Sequence, residues 1–436
     1  MIIVRPVHAE EFAISLPVAE RTALKASNLL KSYASNEEAA RFQADAQFQG
    51  LLPRLSLSGG YQYYAEIPQI SVFGGAPIPF GTNSTYFVGP QVNYTLWDGS
   101  STLNSYRALS LLSLARQADR DNAALQVLLS LRSAYVQVQL GIQELRLIYD
   151  SLELARAQNH DVAVRFRAGA AARLDVVTAE RSVLSYEIQF KQKQADLSAY
   201  LKDLLTLLGD HEPRELSQPG PPGIPGVSLV LRLEPLRQLL LEIAQALPSP
   251  PTDAQPQIRS QELQSRSFDL SADSQSSKKL PAVQVSAGVS LNHPDIPAPP
   301  TYWQETVGVS VSMPLYLGDP SRYVEAQQRS QADAARYRAG QLRDDIHRDF
   351  QKASEMFESL REQQKLAYQD VIQSQEEAKL YYTSYKAGKI NFIDVQNANN
   401  QALLAKVSAA RIDAQILNQS IILKSLAGEE FLHDRN

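Results

Sequence analysis

The sequence contains no cysteine, which excludes disulfides, thiolate metal sites, a cysteine nucleophile and an N-terminal lipid-modified cysteine. It also lacks a run of about 18 apolar residues, the length at which a transmembrane helix becomes available. At a formal net charge of −5 no strongly basic face is expected, so we expect no nucleic-acid partner.

Signatures of enzymes are missing as well. The six histidines form no close pair and no metal-ligand spacing, and no glycine-rich phosphate loop follows a strand. The serines are spread over strands and linkers without a nucleophile elbow. We therefore expect no enzyme activity and no cofactor, and any energy for work must come from another protein.

A duplicated segment organises the chain. Phe166-Arg-Ala-Gly169 is followed six residues after the glycine by Asp175, and Tyr385-Lys-Ala-Gly388 is followed in the same way by Asp394. The two glycines lie 219 residues apart, and so do the two aspartates. A constant offset between landmarks indicates an internal repeat. Each copy lies between long helical patterns, which predicts two helical hairpins with tips at 166–175 and 385–394.

Each copy also contains two segments in which apolar residues alternate with small or polar ones, the pattern of a β-strand with two different faces. They are 55–65 and 86–97 in the first copy, and 282–292 and 306–317 in the second. About ten residues is the length that crosses a bilayer when a strand is tilted. One such hairpin alone is more typical of a soluble protein, but two matching hairpins beside very long helices favour a membrane barrel.

The helical patterns have the 3–4 apolar spacing that is typical of coiled-coil seams. A helix from Ser100 to Ala168 would be about 100 Å long, and the return helix, 174–208, covers only half of it. We expect the helix at 16–49 to cover the other half. A weaker segment near 258–277 would do the same in the second copy.

The repeat predicts the domain organisation. Residues 1–9 resemble the remnant of a signal peptide, with a short disordered leader as the alternative; 10–209 form the first repeat and 258–428 the second. Between them, 210–257 is rich in proline and is predicted to be a strap on the helical body or a linker. Residues 429–436 form a short C-terminal tail.

Four strands in each chain cannot close a barrel by themselves. An open edge in lipid would leave backbone N–H and C=O groups unpaired, so closure requires several chains. Two chains would give eight strands, too narrow for anything but side chains, whereas three give twelve. The sequence therefore predicts an oligomeric tube, a β-barrel in an outer membrane that continues into a long helical conduit.

These features resemble the TolC family of outer-membrane efflux proteins over roughly 16–428. The resemblance rests on the two Ala-Gly tips with Asp-Val six residues later, on Leu52-Pro53 and Leu280-Pro281 before the first strand of each copy, and on the helix ends at Gly209 and Gly428. It implies a membrane α+β fold with internal structural duplication. Each protomer would contribute four strands to a trimeric 12-stranded transmembrane β-barrel, and its long antiparallel helices would form a periplasmic α-barrel.

The resemblance also implies a function. The chain would be the passive outer-membrane exit duct of a tripartite efflux or type I secretion system, opened at its periplasmic tip. Its partners would be two further copies, outer-membrane lipid, a periplasmic adaptor protein and an inner-membrane pump of the RND, ABC or MFS type. A soluble coiled-coil scaffold is the alternative; it explains the heptads but not four alternating strands at matching points of a repeat.

The same resemblance assigns roles at the two tips. Asp394 matches an acidic ring that closes the periplasmic aperture, Tyr385 a linking tyrosine, and Asp175 the acceptor of that tyrosine. Asn397 stands where the family has a second acidic residue, so the chain departs there from a second acidic ring. Ile390 likewise replaces a basic residue.

Two further expectations concern the tips. A ring of Asp394 carboxylates would attract cations, and a divalent or trivalent cation could block the pore there, although both aspartates could instead be first-turn carboxylates that restart a helix. The exposed tip residues would meet the adaptor, with ordinary helix capping as the alternative; they are Arg167, Gly169, Lys386, Gly388 and Lys389.

Overall fold

The structure is a computed structural model that describes residues 10–67, 69–71, 73–79, 81–210, 218–243, 248, 250–251, 254–293, 301–315 and 320–428. The predicted signal-peptide remnant, 1–9, and C-terminal tail, 429–436, lie outside the described residues. The chain divides into two compact units. The tip unit comprises 1–32, 121–255 and 342–436, and the sheet unit comprises 33–120 and 256–341.

The described part of the chain forms helices and strands in the following order. The helices are α1 (Leu16–Ala26), α2 (Asn28–Gln49), α3 (Ser101–Arg167), α4 (Arg173–Leu207), α5 (Leu236–Ile243), α6 (Pro256–Ser277), α7 (Ser321–Lys386) and α8 (Phe392–Ala427). The strands are β1 (Glu10–Ala13), β2 (Arg54–Tyr63), β3 (Gln69–Ile70), β4 (Ile78–Pro79), β5 (Ser84–Trp97), β6 (Pro219–Gly220), β7 (Leu229–Arg232), β8 (Ala282–His293) and β9 (Tyr302–Ser312).

The helices repeat the duplication that the sequence predicts. The outgoing helices α3 and α7 have 67 and 66 residues, and the return helices α4 and α8 have 35 and 36. The helix predicted at 16–49 is divided at Ser27 into α1 and α2, since Ser27 leaves the helical conformation.

Hydropathy was also compared with the requirement for a helical span. Among the helices that the structure describes, none is both long and apolar enough to cross a membrane.

Four long strands form the main sheet of the sheet unit. Their order is β2-β5-β8-β9, and every neighbouring pair is antiparallel. The fourth strand begins at Tyr302, four residues earlier than predicted, because Asn292 of β8 pairs with it. The outer strands β2 and β9 each have one neighbour in this sheet and therefore present one unpaired backbone edge.

The register places nearly all apolar side chains of the sheet on one face. Directly paired residues of antiparallel strands share a face, so this apolar face can be read across all four strands. It carries Leu55, Leu57, Tyr61, Val88, Val92, Val285, Ala287, Leu291, Trp303, Val307 and Val309. The opposite face carries Ser56, Ser58, Gln62, Gln91, Asn93, Ser286, Ser290, Asn292, Gln304 and Ser310. Leu57 and Val307 are 75% and 82% exposed, so nothing in the chain covers the apolar face.

The tip unit has a core of large apolar residues. Leu131 and Tyr135 of α3 are fully buried against Leu201 and Leu204 of α4. The proline-rich connector adds the small parallel sheet β1-β7-β6, in which β7 pairs with the N-terminal strand β1. The Tyr135 hydroxyl joins the two by donating to the carbonyl of Ile14 at 2.9 Å.

Candidate aperture at the hairpin tips

Both hairpins turn at a glycine in the left-handed region. Gly169 has φ 75° and Gly388 has φ 70°, a conformation that L side chains rarely adopt. The turns close in the same way, with the amide of Ala170 bonded to the carbonyl of Arg165 at 2.8 Å and Lys389 bonded to Ser384 at 3.0 Å. The two tips are therefore built alike, as the repeat predicts.

The return helices restart on the two aspartates. A carboxylate oxygen of Asp175 accepts from the amide of Ala172 at 3.2 Å, and Asp394 accepts from Asn391 at 3.3 Å. A carboxylate in the first helical turn satisfies an otherwise free amide and suits the helix dipole. Both aspartates therefore cap a helix, and this leaves the rest of each carboxylate available for a second contact.

A small apolar cluster joins the two hairpins just above their tips. It contains Val162 of α3, Val176 of α4, Tyr385 of α7, and Phe392 and Val395 of α8. The rings of Tyr385 and Phe392 meet edge to face with 5.1 Å between their centres. This cluster brings the predicted tyrosine to the other hairpin.

The first polar link between the hairpins is the pair predicted from the sequence. The Tyr385 hydroxyl donates to Asp175 Oδ2 at 3.3 Å. Burial raises the pKa of Tyr385 to about 12, and the negative charge of Asp175 adds to the effect. The phenol therefore stays protonated at physiological pH and can only donate to this carboxylate.

A second link lies one helical turn further from the tip. The Tyr382 hydroxyl donates to Asp161 Oδ2 at 2.7 Å, and Arg165 Nε lies 3.3 Å from the same oxygen. Arg165 also donates to the carbonyl of Lys386 at 3.3 Å, and Lys386 Nζ lies 4.5 Å from the centre of the Tyr382 ring. We call Asp161, Arg165, Tyr382 and Lys386 the upper link.

Electrostatics in the upper link agree with its geometry. The hydrogen bond from Tyr382 lowers the pKa of Asp161, helped by the charges of Arg165 and Lys386. Burial raises the pKa of Tyr382, and its bond to Asp161 raises it further. Both shifts hold the pair as carboxylate and neutral phenol.

Three more polar contacts continue along the helices. Tyr186 of α4 donates to Asn400 of α8 at 2.8 Å, Asn399 of α8 donates to Gln158 of α3 at 2.9 Å, and Ser182 of α4 bonds to Gln396 of α8. We call these contacts the hairpin seam. Together with the two links they hold the first hairpin against the second along several helical turns.

The remaining predicted site residues lie at the exposed ends of the hairpins. Arg167, Lys386 and Lys389 are exposed, and no atom lies where a Cβ at Gly169 or Gly388 would be placed. Asn397 is exposed on α8, one turn from Asp394. No group of three potential metal ligands occurs among the residues that the structure describes.

Sequence reasoning missed the upper link. Its signal is a difference between the two copies. The position 219 residues after Asp161 is Leu380, and the position 219 residues before Tyr382 is Ala163. A polar residue that replaces an apolar one in only one copy indicates a contact that the other copy lacks.

A two-faced sheet of four membrane-length strands, combined with a duplicated pair of long helical hairpins, defines the class of outer-membrane channels. The family model described as outer membrane efflux protein matches residues 21–210 and 252–429. Because these residues make up most of the sequence, the chain belongs to the outer membrane efflux protein family.

Solved structures show the same fold. A membrane protein from Pseudomonas aeruginosa is 17% identical with a TM-score of 0.74, and the match covers 95% of this chain and 93% of that one. VceC from Vibrio cholerae is 14% identical with a TM-score of 0.73 over 94% and 96%. The open state of MtrE from Neisseria gonorrhoeae is 19% identical with a TM-score of 0.71 over 94% and 88%. No curated protein matches the sequence.

Membership confirms the predicted family and the predicted location in the bacterial outer membrane. Outer membrane efflux proteins work as trimers with adaptors and inner-membrane pumps. The family is one of transport proteins rather than enzymes, and the soluble scaffold finds no support.

Proposed function

We propose that three copies of this chain close a 12-stranded barrel by joining β9 of each copy to β2 of the next. The observation that carries this proposal is the pair of unpaired edges on opposite sides of one antiparallel sheet. Since β2 and β9 run in opposite directions, their pairing continues the antiparallel pattern around a ring. A ring removes every edge, as lipid requires, and three copies leave a lumen.

The two faces of the sheet favour one orientation in this ring. The exposed Leu, Val and Trp side chains suit outer-membrane lipid, and the Ser, Asn and Gln side chains suit a wet lumen. The mass of the detergent-solubilised particle tests the ring. We expect three times the chain mass of 48.3 kDa, after allowance for bound detergent. A particle of one chain would overturn the proposal.

The ring would act as a passive exit duct for efflux. Its helical body would lie in the periplasm and meet an adaptor protein, and an inner-membrane pump of the RND, ABC or MFS type would supply the energy. The tip residues Arg167, Gly169, Lys386, Gly388 and Lys389 would form the docking surface. Their exposure and the positive charge of three of them support this assignment.

The two links would keep the duct closed until docking separates the hairpins. Replacing Tyr385 by Phe together with Asp161 by Asn removes both hydrogen bonds with little change in volume. We expect a higher single-channel conductance of the reconstituted protein, because the hairpins lose their polar contacts at the tip. Tyr381→Phe is the matched control on the same helix. Equal conductance of the double variant and this control would contradict the proposed gate.

Asp394 would contribute a ring of three carboxylates to the aperture, with Asn397 one turn above it. Three like charges around a narrow axis attract multivalent cations. We expect Asp394→Asn to weaken block by a trivalent cation at least tenfold, while Glu376→Gln, a charge change on α7, has little effect. Unchanged block in Asp394→Asn would place the cation elsewhere.

A further inference from the structure

An apolar stripe on α4 has no partner within the chain. It consists of Val177, Arg181, Leu184 and Ile188, which share one face of the helix. Leu184 and Ile188 are 59% and 68% exposed, more than a buried helix face would be. The part of the stripe outside Arg181 is apolar, so it requires a cover.

The second copy of the repeat indicates what kind of cover this is. The positions 219 residues after Val177 and Leu184 are Gln396 and Leu403, which are 7% and 6% exposed. They are buried because they lie on α8, the helix that α4 of the same chain covers in the hairpin seam. The stripe on α4 is therefore the equivalent of a surface that the second copy buries against a hairpin.

We infer that a second copy of this chain covers the stripe, through the α7–α8 hairpin, in a contact that repeats the hairpin seam. This inference rests on the proposed ring, in which every first hairpin meets the second hairpin of a neighbouring copy. Applying the 219-residue offset to the Ser182–Gln396 bond gives Gln401 of one copy against Val177 of the next. The same step carries the Gln158–Asn399 bond to Glu377 against Glu180, beside Arg181.

Charge supports the same pairing independently of the repeat. The α4 stripe contains Arg181 and is followed on the same face by Lys191, whereas the exposed flank of α7 carries Asp370 and Glu377. No ion pair involves Arg181 or Glu377 within the described residues of the chain. Between Glu180 and Arg181, the arginine is the partner that attracts Glu377, so the contact gains an ion pair at its centre.

Disulfide formation tests the pairing cleanly because the natural chain has no cysteine. The variant Val177→Cys/Gln401→Cys should form bonds between copies, and mild oxidation should give a denatured ladder of two and three cross-linked chains. Its matched control is Ser182→Cys/Gln396→Cys, the equivalent pair within one chain. The control should give only a monomer band of altered mobility.

The outcomes separate this inference from the ring itself. If the unmodified particle contains three chains and the control closes, but 177 and 401 stay unlinked between copies, the inference is wrong and the ring stands. If the unmodified particle contains one chain, the ring fails as well.

Charge reversal gives a second, non-covalent readout. Arg181→Glu and Glu377→Arg should each lower the temperature at which the particle dissociates in detergent, and the double variant should recover it. Single variants with no effect, or a double variant that is as weak as the sum of both, would contradict an ion pair between copies.

Discussion

The two units of the molecule hold their helices together in different ways. In the tip unit, α3 and α4 pack through Leu131, Leu197, Leu201 and Leu204, all fully buried. In the sheet unit, α6 buries serines instead: Ser267 donates to the carbonyl of Ala108 at 2.7 Å, and Ser265 donates to Ala332 at 2.9 Å. Further buried residues around them are small, such as Ala115, Ala272 and Ala335.

The difference shows that a helix can be held without a hydrophobic stripe. Small side chains let helix backbones approach closely, and a serine hydroxyl then reaches a carbonyl of the neighbouring helix. Such a surface depends on small volume rather than on apolar area. The two units should therefore respond in opposite ways to changes in side-chain size.

The largest effect is expected from Leu201→Ala in the tip unit. It leaves a cavity in a fully buried leucine cluster, which costs about 2–5 kcal/mol of the free energy of unfolding. The midpoint of helix loss, followed by circular dichroism during denaturation in detergent, should fall clearly. Leu184→Ala, an exposed leucine on the same helix, is the control in dissociated chains. A cost below about 1 kcal/mol for Leu201→Ala would mean that this core is not tightly packed.

An enlarging substitution should break the sheet unit instead. Ser267→Leu places a large side chain where the hydroxyl meets the carbonyl of Ala108, and overpacking of this kind costs about 1–3 kcal/mol. The same measurement of unfolding applies, with the exposed Leu114→Ser as a control for composition on α3. A stabilised Ser267→Leu variant would show that α6 is held by ordinary apolar packing.

A smaller effect is expected when the same hydroxyl is removed. Ser267→Ala keeps the close approach of the helices and loses one buried hydrogen bond, which is worth about 1 kcal/mol. Comparison with Ser267→Leu separates the bond from the space that it occupies. Equal losses in the two variants would argue against the role of small volume.

The smallest effect concerns pH and distinguishes the tip unit. The pKa of Asp161 is lowered from its ordinary value of 3.8, so its contribution to stability is complete above that value and is lost as the pH falls through the lowered pKa. Single-channel conductance should therefore be steady from pH 7 to about 4 and rise below it. Asp161→Asn should remove this step. A step near neutral pH would implicate another group.

The sequence predicted the parts of the fold that periodicity and local turns determine. The hairpin tips follow from Gly169 and Gly388, and the strands follow from alternation of side chains on two faces. Tyr385 and Asp175 were predicted through a family resemblance, and the structure places them in contact.

Other features could not be predicted because they depend on distant parts of the chain. The pairing of β1 with β7 joins residues about 220 positions apart and leaves no local signal. Helix α6 was predicted only as a weak segment because buried serines do not contribute to an apolar pattern. The upper link requires both hairpins at once, since Asp161 and Tyr382 each resemble an ordinary surface residue in its own helix.

An electron cryomicroscopy map of the detergent-solubilised particle tests the central claim most directly. The account predicts a three-fold particle in which β9 of each copy is hydrogen-bonded to β2 of the next and the apolar face of the sheet points outward. A single chain whose β2 and β9 edges pair with nothing, or whose apolar face packs on its own helices, would contradict it.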